Sequence, residues 1–168
     1  HIFLQAGVGS FAGAILGSFA ARLRKDCPVT CIVEPDRADC LYRSAKAGKI
    51  TPVTGDMDSM MAGLCCGDPC TISWEVIHRG AYAFFSCSDD YSARGMRLLG
   101  LPTSGDPVVV SGESGAVGVG VLAALMEDES LADTRDRLGL GKHSRVLCIS
   151  TEGDTDQANY RAVLAKEL

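Results

Sequence analysis

A chain of 168 residues that is 46% hydrophobic and 22% charged is long enough and apolar enough for one globular domain with its own core. A net charge of −5 and a pI near 5.1 leave no basic field for phosphate backbones, so no nucleic-acid partner is expected. No membrane partner is expected either: the apolar stretch 11–21 is too short for a span and runs into Arg22, Leu23, Arg24 and Lys25, and with no positive segment ahead of it a signal peptide is set aside and a cytoplasmic protein expected.

In chain order, residues 2–5 read as a strand, and glycine-rich residues 7–13 open a helix reaching about Arg24. Residues 29–33 are the next strand, closed by Glu34 and Pro35. Residues 36–46 read as a helix with Asp36 as its N-cap and Gly48 as its stop. Short helices are expected at 56–64 and 71–79, and a strand at 83–86. Residues 89–99 read as a helix whose acidic start and later Arg94 and Arg97 match the helix dipole. Residues 108–110 are a β-branched run, broken by S-G-E-S-G at 111–115. Helices follow at 116–126 and 131–138, the latter ended by Gly139 and Gly141. Residues 145–149 read as a buried strand, 150–156 as a polar loop, and 158–168 as a last helix.

Strands alternating with helices imply an α/β fold, a parallel sheet flanked by helices in three layers. Ligands bind such sheets outside the carboxyl ends of the strands. Three polar or glycine-rich segments stand at such ends: 7–13, 111–115 and 150–156. In the first, a strand enters a glycine turn that opens directly into a helix. The free N–H groups and the positive dipole end of that helix suit a phosphate, and Ser10 adds a hydroxyl. The dinucleotide pattern G-x-G-x-x-G is incomplete, because Gly7 and Gly9 are followed by Ala12 and then Gly13. In the third segment a strand delivers Ser150 and Thr151, and Asp156 caps the last helix.

Of the eight cysteines, Cys27 with Cys31 and Cys66 with Cys70 have loose zinc-knuckle spacing. Yet Cys31 lies in the apolar run C-I-V and Cys148 in V-L-C-I, so the thiols read as small core residues and no metal site is expected. A thiol pair between Cys40 and the cluster Cys65, Cys66 and Cys70 stays open. His78 reads as a residue at the end of a helix, His143 as a turn residue, and Trp74 as packing between elements.

These motifs resemble a known superfamily. S-T-E-G-D-T-D at 150–156 resembles the loop S-G-R-G-D-K-D of tryptophan synthase β subunits. A-G-V-G-S-F-A-G at 6–13 resembles the glycine loop with which that family holds the phosphate of pyridoxal phosphate. Glu34-Pro35 after a strand resembles the V-E-P of threonine deaminases, M-M-A-G-L-C-C at 60–66 their T-I-A-D-G-L-A, and E-S-G-A-V-G at 113–118 their E-P-S-G-A. The five matches keep family order and span nearly the whole chain. Within these fold type II pyridoxal-phosphate enzymes, V-E-P-D-R-A-D-C-L-Y-R-S, S-G-E-S-G-A-V-G and the run from Ser150 to Arg161 are most similar to the diaminopropionate ammonia-lyases.

The resemblance implies a carbon–nitrogen lyase that uses pyridoxal 5'-phosphate for β-elimination, converting the small amino acid 2,3-diaminopropionate to pyruvate and ammonia, as a homodimer. It places Gly7, Val8, Gly9, Ser10 and Phe11 on the cofactor phosphate. It sets Ser150 against the pyridine nitrogen, with Thr151 as the fallback after a one-residue shift. Glu113 stands where the deaminases have proline, and is either a cofactor contact or a helix-start acid. The family's Schiff-base lysine lies far upstream of the glycine loop. Lys25, Lys46, Lys49, Lys142 and Lys166 all read as solvated charges. The chain is therefore expected to be the C-terminal part of the catalytic domain, without a catalytic residue of its own and inactive alone. A threonine or serine deaminase, and a nucleotide-binding regulatory module built on residues 7–13, are the alternatives.

Overall fold

The first strand, β1 (Ile2–Gln5), is buried along its whole length and pairs on both sides. The structure is a computed structural model and describes residues 1–103 and 105–166. Beside β1 lie β2 (Thr30–Pro35) and β4 (Leu147–Cys148), and β3 (Ala83–Cys87) pairs with β2. The order is β3-β2-β1-β4 and every pairing is parallel, as the alternation of strands and helices predicts. Parallel neighbours need crossover connections. These are supplied by α1 (Ser10–Leu23), α2 (Cys40–Ala47) and α3 (Thr71–Gly80), and later by α4 (Asp89–Gly100), α5 (Glu113–Glu127) and α6 (Ala132–Leu138). The last helix, α7 (Gln157–Ala165), closes on α4.

The two-residue period of the strands divides the core between the two faces of the sheet. Ile2, Leu4 and Ile32 pack with Leu16, Leu41, Trp74 and Ile77. Phe3, Cys31 and Val33 point the other way, onto Val117, Val121 and Leu125 of α5. Small residues let α5 approach closely. A methyl group on Gly120 would collide with the carbonyl oxygen of Tyr91 in α4, and one on Gly95 with that of Ala116. Trp74 lies in the core and stacks at 4.9 Å on the exposed ring of His78. No helix among the described residues is long and apolar enough to cross a membrane.

Several elements differ from the sequence reading, each for a tertiary reason. The helix expected at 36–46 begins at Cys40, and Asp36 is not its cap: the Asp36 N–H donates to Cys87 O at 2.9 Å. The first amides of α2 are satisfied instead by the buried carboxyl group of Glu34, which accepts from Leu41 N at 2.8 Å and Tyr42 N at 2.7 Å. Residues 56–64 form no helix beyond a single turn at Ala62–Leu64, because Asp89 draws in the Ser59 hydroxyl and the Met60 N–H. The strand expected at 145–149 shrinks to β4, and it lies on the sheet edge with Leu147 43% exposed rather than buried. Residues 108–110 are exposed and join no strand among the described residues; Val109 N–H donates to Leu99 O instead. Helix α5 begins at Glu113, three residues earlier than expected, and α7 ends at Ala165; positions 167 and 168 of the expected last helix lie outside the described residues.

All eight cysteines are free. Burial pushes the thiols of Cys31, Cys40 and Cys87 up to about 12, and that of Cys148 up to about 11. They pack as apolar groups, which is how the sequence presents them. Among the described residues no three His, Cys, Asp or Glu side chains converge as metal ligands would.

Two outcomes follow for the full protein. Gly120→Ala should lower its stability by about 1–3 kcal/mol or more, the range for overpacking, whereas Gly17→Ala, whose methyl would sit at an ordinary 3.6 Å from Val76, should be near neutral. Urea midpoints check both. Burial also raises the Glu34 carboxyl from its ordinary 4.5 to about 8, against the opposing pull of the Leu41 and Tyr42 N–H groups. A carboxyl shifted upward stabilises the fold fully below its unfolded value and loses that contribution as pH rises through its folded value. Thermal midpoints should therefore fall as pH rises from about 4.5 to about 8, and Glu34→Gln should flatten that slope.

Candidate functional site

At the carboxyl end of β1 the chain passes through Ala6 and Gly7 into a left-handed residue, Gly9, with φ 93°. A side chain there would be strained, and its Cβ would press within 2.9 Å of Ile77 Cδ1. The turn is thus pinned against the core, and α1 starts immediately after it at Ser10. No side chain caps this helix. Among the described residues, no protein group accepts a hydrogen bond from the N–H of Gly7, Val8, Gly9, Ser10 or Phe11. These amides, with the positive end of a 14-residue helix behind them, form a cradle for an anion.

They open into a cavity of about 590 Å³. Gln5 and residues 6–11 line it together with Thr151, Glu152, Gly153 and Thr155. Ser114 enters from the start of α5. The three segments singled out in the sequence, 7–13, 111–115 and 150–156, therefore meet at one site. A fourth wall, Gly63, Leu64 and Cys66, was not anticipated as cavity lining. Its one sequence signal is the pair of glycines at 63 and 67, which let the loop pass close to Ser114 and to Val53.

The two hydroxyls at the end of β4 have different surroundings. Ser150 Oγ lies 2.7 Å from Ser111 Oγ and donates to Glu152 O at 3.2 Å. Thr151 lines the cavity, and its Oγ1 accepts a hydrogen bond from Gln5 Nε2 at 2.8 Å. Glu113 is buried at the first turn of α5. Its carboxylate accepts from Asn159 Nδ2 at 2.5 Å and its carbonyl from Ser92 Oγ at 2.5 Å, so it joins α5 to α7 and α4 rather than lining the cavity.

Glu152 was not singled out in the sequence, where it is one of many surface-type acids. In the fold its carboxylate accepts the Ser114 N–H at 2.6 Å, at the N-terminus of α5. Two helix N-termini thus face one cavity. The protein's own carboxylate fills that of α5, and that of α1 stays open. An incoming anion is directed to α1. Thr151 lines the cavity with a neutral hydroxyl, and among the described residues Ser114 Oγ is buried without a partner. All five lysines are exposed, and none lines the cavity.

Cys70 borders the same loop. Its N–H donates to Val8 O at 2.8 Å, and its sulfur accepts from Ser73 Oγ at 3.4 Å. The Ser73 hydroxyl, followed by the nearby N–H groups and Ser10, lowers the thiol from 9.0 to about 7.

Comparison with known proteins places this geometry in context. Residues 1–152 match the family described as pyridoxal-phosphate dependent enzyme. The chain is 49% identical over 164 residues to diaminopropionate ammonia-lyase of Escherichia coli (strain K12), an alignment that covers 98% of this chain and 41% of that protein. The crystal structure of holo diaminopropionate ammonia lyase from Escherichia coli superposes with a TM-score of 0.89 at 47% identity, covering 98% of this chain and 41% of that one. A threonine deaminase isoform from Solanum lycopersicum, at 15% identity and TM-score 0.77 over 99% of this chain and 44% of that one, shares the fold. The chain thus spans about two fifths of the length of the curated relatives it matches, 41% in each.

The thiols should separate by reactivity. With iodoacetamide at neutral pH, peptide mass spectrometry should find Cys70 labelled first, with half-maximal rate near pH 7, while Cys31 and Cys87 stay unlabelled in the folded protein. Ser73→Ala should move the midpoint for Cys70 upward.

Proposed function

This chain belongs to the pyridoxal-phosphate dependent enzymes, and on that premise we propose that it forms the phosphate-binding part of a carbon–nitrogen lyase that converts 2,3-diaminopropionate, with one water, to pyruvate and two ammonia. The observation that carries the cofactor assignment is the open N-terminus of α1, whose unpaired amides line a cavity that the Thr151 hydroxyl also lines. The substrate assignment rests on the 49% identity to an enzyme named for that substrate.

The residues present fit the cofactor. The N–H groups of Gly7, Val8, Gly9, Ser10 and Phe11, with the Ser10 hydroxyl, would hold its phosphate, and the left-handed Gly9 lets the turn lie against Ile77 and Leu41. Of the two candidate hydroxyls for the pyridine nitrogen, Thr151 lines the cavity, and Ser150 Oγ lies 2.7 Å from Ser111 Oγ. A hydroxyl carries no charge, so it stabilises an unprotonated ring nitrogen. When bound, pyridoxal phosphate supplies the electron sink for loss of the substrate's α-proton. The chain's own groups anchor, orient and limit the strength of that sink. Glu152 keeps the second helix terminus filled, so the phosphate has a single seat.

The lysine that would hold the cofactor lies, in this reading, upstream in the longer protein, together with the groups that take the substrate carboxylate; this chain is then the C-terminal part of the catalytic domain. A homodimer in the cytoplasm, with no nucleic-acid partner, completes the proposal.

The test uses the full-length protein. Wild type should show a visible absorption band from bound cofactor and release pyruvate from 2,3-diaminopropionate. Gly9→Ala should weaken cofactor binding about tenfold or more, corresponding to roughly 1.4 kcal/mol or more. A band without pyruvate would retain the cofactor and reject this substrate in favour of a hydroxyamino acid. Absence of any band would sink the cofactor assignment.

A further inference from the structure

Gln5 is a polar side chain, 3% exposed, at the last position of a strand otherwise made of Ile2, Phe3 and Leu4. Its amide nitrogen reaches two acceptors across the sheet edge, Ile149 O and Thr151 Oγ1, each at 2.8 Å. A carbonyl oxygen can only accept, so Ile149 O fixes which end of the amide is nitrogen. Both amide protons are then committed, and one of them occupies a lone pair of the Thr151 hydroxyl. That hydroxyl has one proton of its own, and among the described residues no protein group receives it.

We propose that Gln5 is a positioning residue that sets the polarity of Thr151. By donating to Oγ1, it leaves the Thr151 proton free for an acceptor in the cavity, so the site selects a ligand that presents an unprotonated ring nitrogen there. The inference rests on the cofactor reading above, and the two can fail separately. Gln5 touches no reacting atom and works through Thr151 alone. It also ties the loop to β1 through Ile149, which accounts for a buried amide at the mouth of the sheet.

Reversing the polarity is the direct test. A carboxylate at position 5 has nearly the same shape but accepts the Thr151 proton, so Thr151 then offers the ring only lone pairs. In the full-length protein, Gln5→Glu should raise the dissociation constant for pyridoxal phosphate at least tenfold at pH 8. It should also make the visible absorption of the bound cofactor depend on pH between about 6 and 9, where wild type stays constant. In a Thr151→Val background the same Gln5→Glu change should alter the dissociation constant by less than about twofold, because the group it acts through is gone. Gln5→Met keeps the volume and removes both donors without accepting the Thr151 proton; it should weaken binding less than Gln5→Glu does, and by less than about twofold in the Thr151→Val background, which keeps the test open if the glutamate variant does not fold by circular dichroism. The proposal is overturned if neither the spectrum nor the affinity changes. It is equally overturned if the effect persists at full size without Thr151, since Gln5 would then act as scaffold only. A wild-type protein that binds no cofactor would remove the reading and this inference together.

Discussion

The structure depends on β1 being buried from both faces and paired on both edges. Ile2 and Leu4 hold the layer of α1, α2 and α3, while Phe3 holds α5, so a single four-residue strand ties both halves of the core to the sheet. Because β2 and β4 flank it, its backbone has no freedom to shift. The glycine turn that follows inherits that rigidity. Gly9 abuts Ile77 and Leu41, so the end of β1 and the start of α1 have one relative position. A preorganised anion site requires this, since N–H groups that had to be gathered on binding would lose much of their value to entropy.

Electrostatics then decides how the cavity is used. Two helices present their positive ends to the same space, and an anion could seat at either. The carboxylate of Glu152 takes the α5 end through the Ser114 N–H, and no side chain takes the α1 end. The same device occurs at α2, where Glu34 lies behind the first turn and satisfies the amides of Leu41 and Tyr42. In each case a side chain from a neighbouring segment does the capping.

Polar groups around the cavity are arranged with the same economy of donors and acceptors. Ser150 is committed to Ser111 and to the Glu152 carbonyl, Glu113 to Asn159, and Gln5 to the loop that carries Thr151. Thr151 is left with a free proton facing the cavity. The loop at 150–156 is therefore a clamp held from three sides, although it has no secondary structure of its own.

The sequence by itself determined the architecture and the address of the site. Alternating apolar strands and helices specify a parallel sheet, and G-V-G-S between a strand and a helix marks the anion cradle, because both patterns are local and periodic. The glycines at 95 and 120 appear in it only as helix residues; their role emerges where α4 and α5 cross. Tertiary structure decided which partners two adjacent hydroxyls reach, that Glu113 turns toward Asn159, that Asp36 yields its capping role to Glu34, and that residues 56–64 follow Asp89 instead of coiling. Each depends on a partner 7 to 46 positions away in the chain. Spacing along the chain reports which residues share a face. It does not report which of several chemically equivalent groups a distant donor will reach first.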